Sequence, residues 1–329
     1  MTSETPLLSI RSLDVDFHTK GGIAQVLRGV DLDIPRGSIV GVVGESGSGK
    51  STLASAIMRL LPSNLAGLRG EIRLGDTDLL KLTDTQMRQV RGRRIAMIFQ
   101  DPMTALNPVF TIGTQLADAQ RGRWPKASSR ELLERAVDMM AKVGIPAPAR
   151  RLAQYPHEFS GGMRQRIMIA MALLTEPELL IADEPTTALD VTIEAQIVKL
   201  FEDVREIFDG SMLFISHSLA VVSSLCDTVA VMYAGRPAEV APSIRLFEHS
   251  AHPYTQALLA CEVGSEAERH APLRSIPGQV PSVINVPNAC IYADRCEKVI
   301  DLCRQGVPAF REIEERHRAA CVRAEELRA

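Results

Sequence analysis

No apolar run in this chain of 329 residues approaches the roughly 18 residues that a membrane-spanning helix requires. The longest blocks, such as Ile167–Leu174 (IMIAMALL), are of core-helix length. The opening residues, MTSETPLLSIRSLDV, lack a basic start and a long apolar stretch, which argues against a secretory signal and predicts a cytosolic location. A basic excess is also missing. The 37 Lys and Arg stand against 40 Asp and Glu, for a net charge of −3, and this disfavours a dedicated nucleic-acid binder. Internal repeats and low-complexity tracts are absent, which excludes repeat arrays. What remains is a chain of 46% hydrophobic content, long enough for one large or two modest domains.

Residues 44–51 read GESGSGKS and match G-x-x-x-x-G-K-[ST] at every fixed position. Gly44, Gly47 and Gly49 let the backbone turn tightly and bring N–H groups close to phosphate oxygens. Lys50 has the reach and charge for β- and γ-phosphates, and the Ser51 hydroxyl is a ligand for Mg²⁺. Ser38–Val43 predicts a buried strand before the loop, and Lys50–Leu61 a helix after it, whose N-terminal dipole favours the phosphates. Glu45, Ser46, Ser48 and Thr52 complete the candidate nucleotide-binding set. The chain is therefore expected to bind a nucleoside triphosphate.

Alternating apolar residues predict strands over Leu8–Phe17 and Val26–Ile34, with a turn at Gly21 and Gly22. Short strands are expected at Glu71–Leu74 and Arg94–Phe99, and helices over 128–143 and 163–174. Glu178–Ala182, Ser211–Ile215 and Thr228–Tyr233 read as buried strands around a long helix over Val191–Phe208. This alternation argues for a parallel α/β sheet, interrupted between Gln100 and Pro177 by a helical subdomain.

Behind the loop lie further signals in a fixed order. Residues 179–184 (LLIADE) form an apolar strand that ends in Asp183, placed for Mg²⁺, and Glu184, placed to polarise water as a general base. Residues 160–165 (SGGMRQ) open a helix with two glycines, a second anion-binding terminus in one chain. With Gln100 in IFQDPMTALNP, Asp190 in TTALD and His217 in ISHS, the set resembles the ATP-binding cassette (ABC) ATPases over roughly residues 7–240.

The resemblance implies an α/β P-loop NTPase with a mixed core sheet, an antiparallel β subdomain, a helical subdomain at about residues 101–177 and a small C-terminal extension at 241–329. It makes 44–52 Walker A, 179–184 Walker B, Gln100 the Q-loop glutamine and a Mg²⁺ neighbour, and Ala188–Asp190 the D-loop. Ser160, Gly161, Gly162 and Gln165 become the signature, and His217 the switch histidine. Glu184, His217 and Gln100 become the catalytic set, with ATP and Mg²⁺ at Ser51, Gln100 and Asp183. Two departures stand out. Ser218 follows His217 where the family has an acid, a change expected to alter a local helix cap. Phe17, beside His18, is the candidate aromatic on adenine, or equally a core strand residue. The family sandwiches ATP in a head-to-tail dimer, so a lone chain is expected to hydrolyse slowly.

The tail narrows the resemblance. HPYTQALL at 252–259, IPGQVP at 276–281 and the cysteines beyond them are similar to the oligopeptide, dipeptide and nickel importer subfamily. This implies a subunit that energises import of peptides or a related solute. Its partners would be a second cassette subunit, two permease subunits and an extracytoplasmic substrate-binding protein, with the chain peripheral on the cytoplasmic membrane face. The solute is not readable from this chain. The alternatives are a non-transport cassette or a non-hydrolysing subunit. Against the first stand the lack of an inserted coiled coil and the single cassette; against the second, intact Glu184 and His217. His252 and Tyr254 are expected to pack at a helix start, and Cys226 and Cys261 to be core thiols. Cys290, Cys296, Cys303 and Cys321 suit a zinc ion, an iron–sulfur cluster or free thiols. The subfamily resemblance favours a [4Fe–4S] cluster away from the ATP site.

Overall fold

The computed structural model describes residues 5–101, 105–187, 190–261 and 275–328. The chain divides into two compact units, residues 1–34, 39–80 and 215–329 in the first and 35–38 and 81–214 in the second.

The first unit begins with β1 (Leu8–Thr19), β2 (Gly22–Ile34), β3 (Ile39–Val43), α1 (Lys50–Ile57), β4 (Leu65–Leu74) and β5 (Thr77–Asp78). The second unit carries α2 (Asp84–Val90), β6 (Ile95–Ile98), α3 (Ile112–Arg121), α4 (Ser129–Lys142), α5 (Pro148–Arg151) and α6 (Gly161–Leu173). After these come β7 (Leu179–Asp183), α7 (Val191–Ile207) and β8 (Ser211–Ile215). The chain then returns to the first unit with α8 (Leu219–Leu225), β9 (Thr228–Tyr233), β10 (Arg236–Pro242), α9 (Ser243–Glu248) and α10 (Pro253–Cys261). It ends there with β11 (Arg311–Glu314), β12 (His317–Ala319) and α11 (Ala324–Leu327).

In the first unit β2, β1, β4 and β5 form an antiparallel sheet in that order. Leu8, Ile10, Leu13 and Val15 of β1 are buried, so the alternation skips a residue between Ile10 and Leu13. A bulge there, with Ser12 at φ 45 and its N–H donating to Asp31 Oδ1 at 2.8 Å, returns the apolar face to the core. A mixed sheet follows. The wholly buried β3 pairs parallel with β9, and β9 antiparallel with β10. The C-terminal hairpin then adds β12 and β11 to the edge of β10. In the second unit β6 and β7 pair in parallel, and helices α3 to α6 lie in the stretch between them.

Three departures from the sequence expectation have local causes. The helix after the P-loop stops at Ile57, not Leu61, because Arg59 takes a left-handed φ of 50. The Arg59 and Leu60 N–H groups close a Schellman-type cap on the carbonyls of Ala56 and Ser55. Strand β4 starts at Leu65, not Glu71. Gly70, at φ 105 against the backbone of β1, hides the strand pattern. Helix α6 starts at Gly161, with Ser160 as its N-cap. Cys226 is a buried thiol as expected, but Cys261, at the last turn of α10, is only half-buried.

Candidate functional site

The P-loop of the first unit is built from backbone. Gly44 sits at φ 150, and a Cβ there would lie 2.2 Å from the Met232 carbonyl oxygen on neighbouring β9. Gly49, at φ 102, packs on β2, where a Cβ would lie 2.8 Å from Leu27 Cδ2 and 3.0 Å from Val26 O. No side chain caps the N-terminus of α1, and a helix N-terminus favours an anion. Ser46, Gly47 and Ser51 are exposed, whereas Ser48 and Lys50 are buried and Thr52 is half-buried. The Gly235 N–H anchors the loop by donating to Ser48 O at 2.9 Å. Ser48 Oγ is buried without a hydrogen-bond partner. Lys50 Nζ donates to Gly44 O at 2.8 Å and Glu45 O at 3.3 Å, within its own loop. A helix N-terminus without a side-chain cap, a cation and an orphaned hydroxyl form a donor set that fits phosphate, and the exposed Ser51 hydroxyl is an oxygen ligand type that suits Mg²⁺.

His217, in the same unit, is exposed. Ser218 caps α8 by accepting from the Val221 N–H at 3.3 Å, the local cap expected of it. Phe17 is half-buried in β1, opposite Ala24 of β2 and Leu65 of β4, with His18 exposed beside it.

In the second unit Asp183 is buried at the end of β7, and the next residue, Glu184, has a left-handed φ of 46. A carboxylate residue held in that region is strained backbone of the kind that concentrates at functional sites. Glu184 Oε2 accepts from Gln100 Nε2 at 3.0 Å and from Thr187 Oγ1 at 2.9 Å. The structure thus brings the Q-loop and Walker B candidates into one hydrogen-bonded group, poised to orient a water or a metal ligand. Ser160 caps α6 through the Met163 N–H at 3.4 Å. A Cβ on Gly162 would meet Ile193 Cγ2 of α7 at 2.8 Å, so the glycine allows a close helix approach. Gln165 is buried and donates to Pro185 O at 2.7 Å, which ties the signature helix to the turn after Walker B. Asp190 caps α7 by accepting from the Ile193 N–H at 2.9 Å; Ala188 and Leu189 of the D-loop lie outside the described residues.

The tail cysteines come together in the structure. Cys290, Cys296, Cys303 and Cys321 line one small cavity with His252, Tyr292 and Arg323. Burial raises the thiols of Cys290 and Cys296, and pushes that of Cys321 up to about 11, so the charged form a metal needs is disfavoured there. All four are free, and among the described residues no group of three or more His, Cys, Asp and Glu is arranged to hold a metal ion. The thiols share a cavity but do not form a ready ligand set. Nor is this segment remote from the nucleotide loop. Arg295, the neighbour of Cys296, forms a bidentate ion pair with Glu45 of the P-loop, at 2.8 and 3.0 Å. That contact sets the residue beside Cys296 directly against the candidate nucleotide loop. Tyr254 is also more than a packed helix start, because its hydroxyl accepts from the Glu45 N–H at 2.9 Å. Sequence reasoning missed both contacts. Arg295 directly precedes Cys296 in the sequence, but no local pattern points it at residue 45.

A buried strand, a glycine loop and a helix with an uncapped N-terminus define a P-loop nucleotide-binding protein. Comparison with known proteins narrows the class. The ABC transporter family model matches residues 27–187, and the model for the C-terminal region of oligopeptide/dipeptide transporters matches 238–303. The chain is 48% identical over 324 residues to a probable peptide ABC transporter ATP-binding protein of Sinorhizobium fredii, covering 98% of this chain and 96% of that protein. It is 47% identical to the dipeptide transport ATP-binding protein DppD of Bacillus subtilis, covering 92% and 90% of the two chains. Among solved structures, a dimeric ATP-binding cassette, MJ0796, bound to ADP and Pi has the same fold, with a TM-score of 0.64 at 24% identity over 72% of this chain and 98% of that one. The chain belongs to the ATP-binding subunits of ABC transporters, in the branch that carries the oligopeptide/dipeptide C-terminal region, and it is an ATPase that works with membrane permease subunits. Among its described residues no helix is long and apolar enough to cross a membrane.

Proposed function

We propose that the chain powers import of di- or oligopeptides, held on the cytoplasmic face of the membrane by its permeases, with a second, non-identical cassette subunit and a substrate-binding protein. Nickel is the second solute class in the same subfamily. The support is the joint match of both family models together with the peptide-import names of its relatives. In this reading residues 1–240 are the ATPase domain, with the helical subdomain at about 101–177, and 241–329 the extension.

In the proposed mechanism residues 44–52 hold the triphosphate through backbone amides and Lys50, and Phe17 stacks on the base. Ser51, Gln100 and Asp183 attend Mg²⁺. Glu184 acts as general base on the attacking water, oriented by Gln100, and His217 senses the γ-phosphate. Ser160, Gly161, Gly162, Gln165 and Asp190 serve the ATP of the partner cassette in a head-to-tail dimer. The observation that carries the catalytic assignment is the strained Glu184 bonded to Gln100 and Thr187. Glu184→Gln keeps the shape but removes the base, so ATP should still bind while turnover in the assembled transporter falls roughly a hundredfold or more. Near-normal turnover would sink the assignment.

The tail cysteines are proposed to bind one [4Fe–4S] cluster, whose assembly must draw all four thiols into the thiolate form. Anaerobically purified protein should then be brown and contain iron and sulfide, and Cys296→Ser should bleach it. Colourless protein with stoichiometric zinc, or with four titratable tail thiols, would reject the cluster.

A further inference from the structure

We propose that the C-terminal extension is a working part of the nucleotide loop, with Arg295 and Tyr254 as positioning residues that hold Glu45 and neutralise its charge. The proposal rests on the reading of residues 44–52 as the ATP-binding loop.

A carboxylate in a loop meant for a triphosphate is an electrostatic liability. Glu45 stands one residue after Gly44 and two before Gly47, among the amides that would cradle phosphate. Left alone, its charge opposes the ligand. The fold answers with a guanidinium from 250 residues further along the chain. Arg295 Nη1 donates to Glu45 Oε2 at 2.8 Å and Nη2 to Glu45 Oε1 at 3.0 Å. The Arg295 side chain is only 6% exposed, against 26% for that of Glu45. Its other N–H directions are also used, on Pro277 O at 2.9 Å, Ile276 O at 3.3 Å and the Tyr233 hydroxyl at 3.3 Å. A buried guanidinium with every donor engaged is fixed in place, unlike a surface pair that wanders in solvent.

Tyr254 makes the second attachment. Its hydroxyl accepts the Glu45 backbone N–H at 2.9 Å, and burial holds the phenol in its neutral form. The ring packs against Tyr233 and Tyr292, with centroids 4.5 and 5.4 Å away. The Glu45 carbonyl in turn accepts from Lys50 Nζ. One loop residue therefore joins the extension, through carboxylate and amide, to the lysine that reaches for phosphate.

The test uses the full chain, with Mg-ATP titrated by calorimetry and turnover measured in the assembled transporter. Wild type should bind, and Lys50→Ala should bind much more weakly. Arg295→Met keeps the length but removes the charge, so the ATP Kd should rise about tenfold, with KM following and kcat within about twofold of wild type. Arg295→Lys keeps the charge but loses the fork, and should fall between the two. The decisive variant is the double one, Glu45→Gln with Arg295→Met. It has no ion pair at all, yet it also has no exposed carboxylate, so its Kd should return to within about threefold of wild type. A purely structural brace would give the opposite, a double variant no better than the single one. Tyr254→Phe leaves the ring packing in place and should raise Kd about threefold, which keeps the proposal testable if Arg295→Met fails to fold. Wild-type binding with an unchanged Kd in Arg295→Met and Tyr254→Phe would overturn this proposal alone. Absence of ATP binding by wild type would overturn the loop reading, and the proposal with it.

Discussion

The P-loop and the segment 290–296 meet at Glu45, but they are encoded in different ways. The loop is made by backbone. Its glycines permit angles and approaches that other residues refuse. Its partner segment is made by side chains. A guanidinium, a phenol and a cluster of tyrosine rings come together from positions 233, 254, 292 and 295. Backbone-encoded function tolerates almost no change at its glycines and wide change elsewhere. Side-chain-encoded contact tolerates change of backbone context but not of chemistry, so that Lys does not replace Arg295 in a two-pronged pair.

The sharpest way to test the first half of this comparison is Gly44→Ala. The new methyl group would stand 2.2 Å from the Met232 carbonyl at a φ of 150, so β3 and β9 must separate to admit it. The expected cost is on the order of 4 kcal/mol of stability, with ATP binding lost. Chemical denaturation and ATP titration check it. A variant of near-native stability would show that the loop is not held by backbone contact.

The difference in encoding also explains what the sequence made legible. The strand, loop and helix around residues 38–57 were readable because each piece is local. So were the helical stretch before Pro177 and the acids at the end of β7. Arg59 was not, since a left-handed helix stop usually announces itself with glycine. Nor were β10, β12 and the attachment of the extension. These depend on Glu239, which is fully buried and accepts from the N–H groups of Ala251 and His252 and pairs with His317 Nε2 at 2.7 Å. A lone Glu in an apolar stretch carries no mark of partners from two distant segments.

That buried junction supplies a second, smaller test, aimed at the side-chain half. His252 is buried, and its pKa is lowered to about 4, by burial above all and against the pull of Glu239. In the unfolded chain it would titrate near 6.5. Protonation therefore favours the unfolded chain. The stability is complete above pH 6.5 and is lost as pH falls toward 4, by roughly 3 kcal/mol from this group. His252→Asn keeps an acceptor near the Tyr254 N–H, which now donates to His252 Nδ1 at 3.0 Å, but cannot titrate. The wild-type-minus-variant stability difference should shrink by that amount between pH 7 and pH 4. A difference flat with pH would mean that the junction is wetter than its packing implies.

The smallest expected effect returns to locally encoded structure, at the residue after the candidate switch histidine. Ser218 accepts from the Val221 N–H and donates its own N–H to Ser216 Oγ at 3.0 Å, an N-cap contained within six residues of chain. A cap needs only a side-chain oxygen at the right distance from a free amide, so its chemistry is interchangeable where that of Arg295 is not. Ser218→Asp restores the acid usual in the family and adds a charge that suits a helix N-terminus, so its stability should stay within about 0.5 kcal/mol of wild type. Ser218→Ala removes the oxygen and should cost about 1 kcal/mol. Paired unfolding curves at low salt separate the two. Equal losses in both variants would mean that Ser218 is read by its surroundings, as Arg295 is, and the distinction between local and distant encoding would fail at this position.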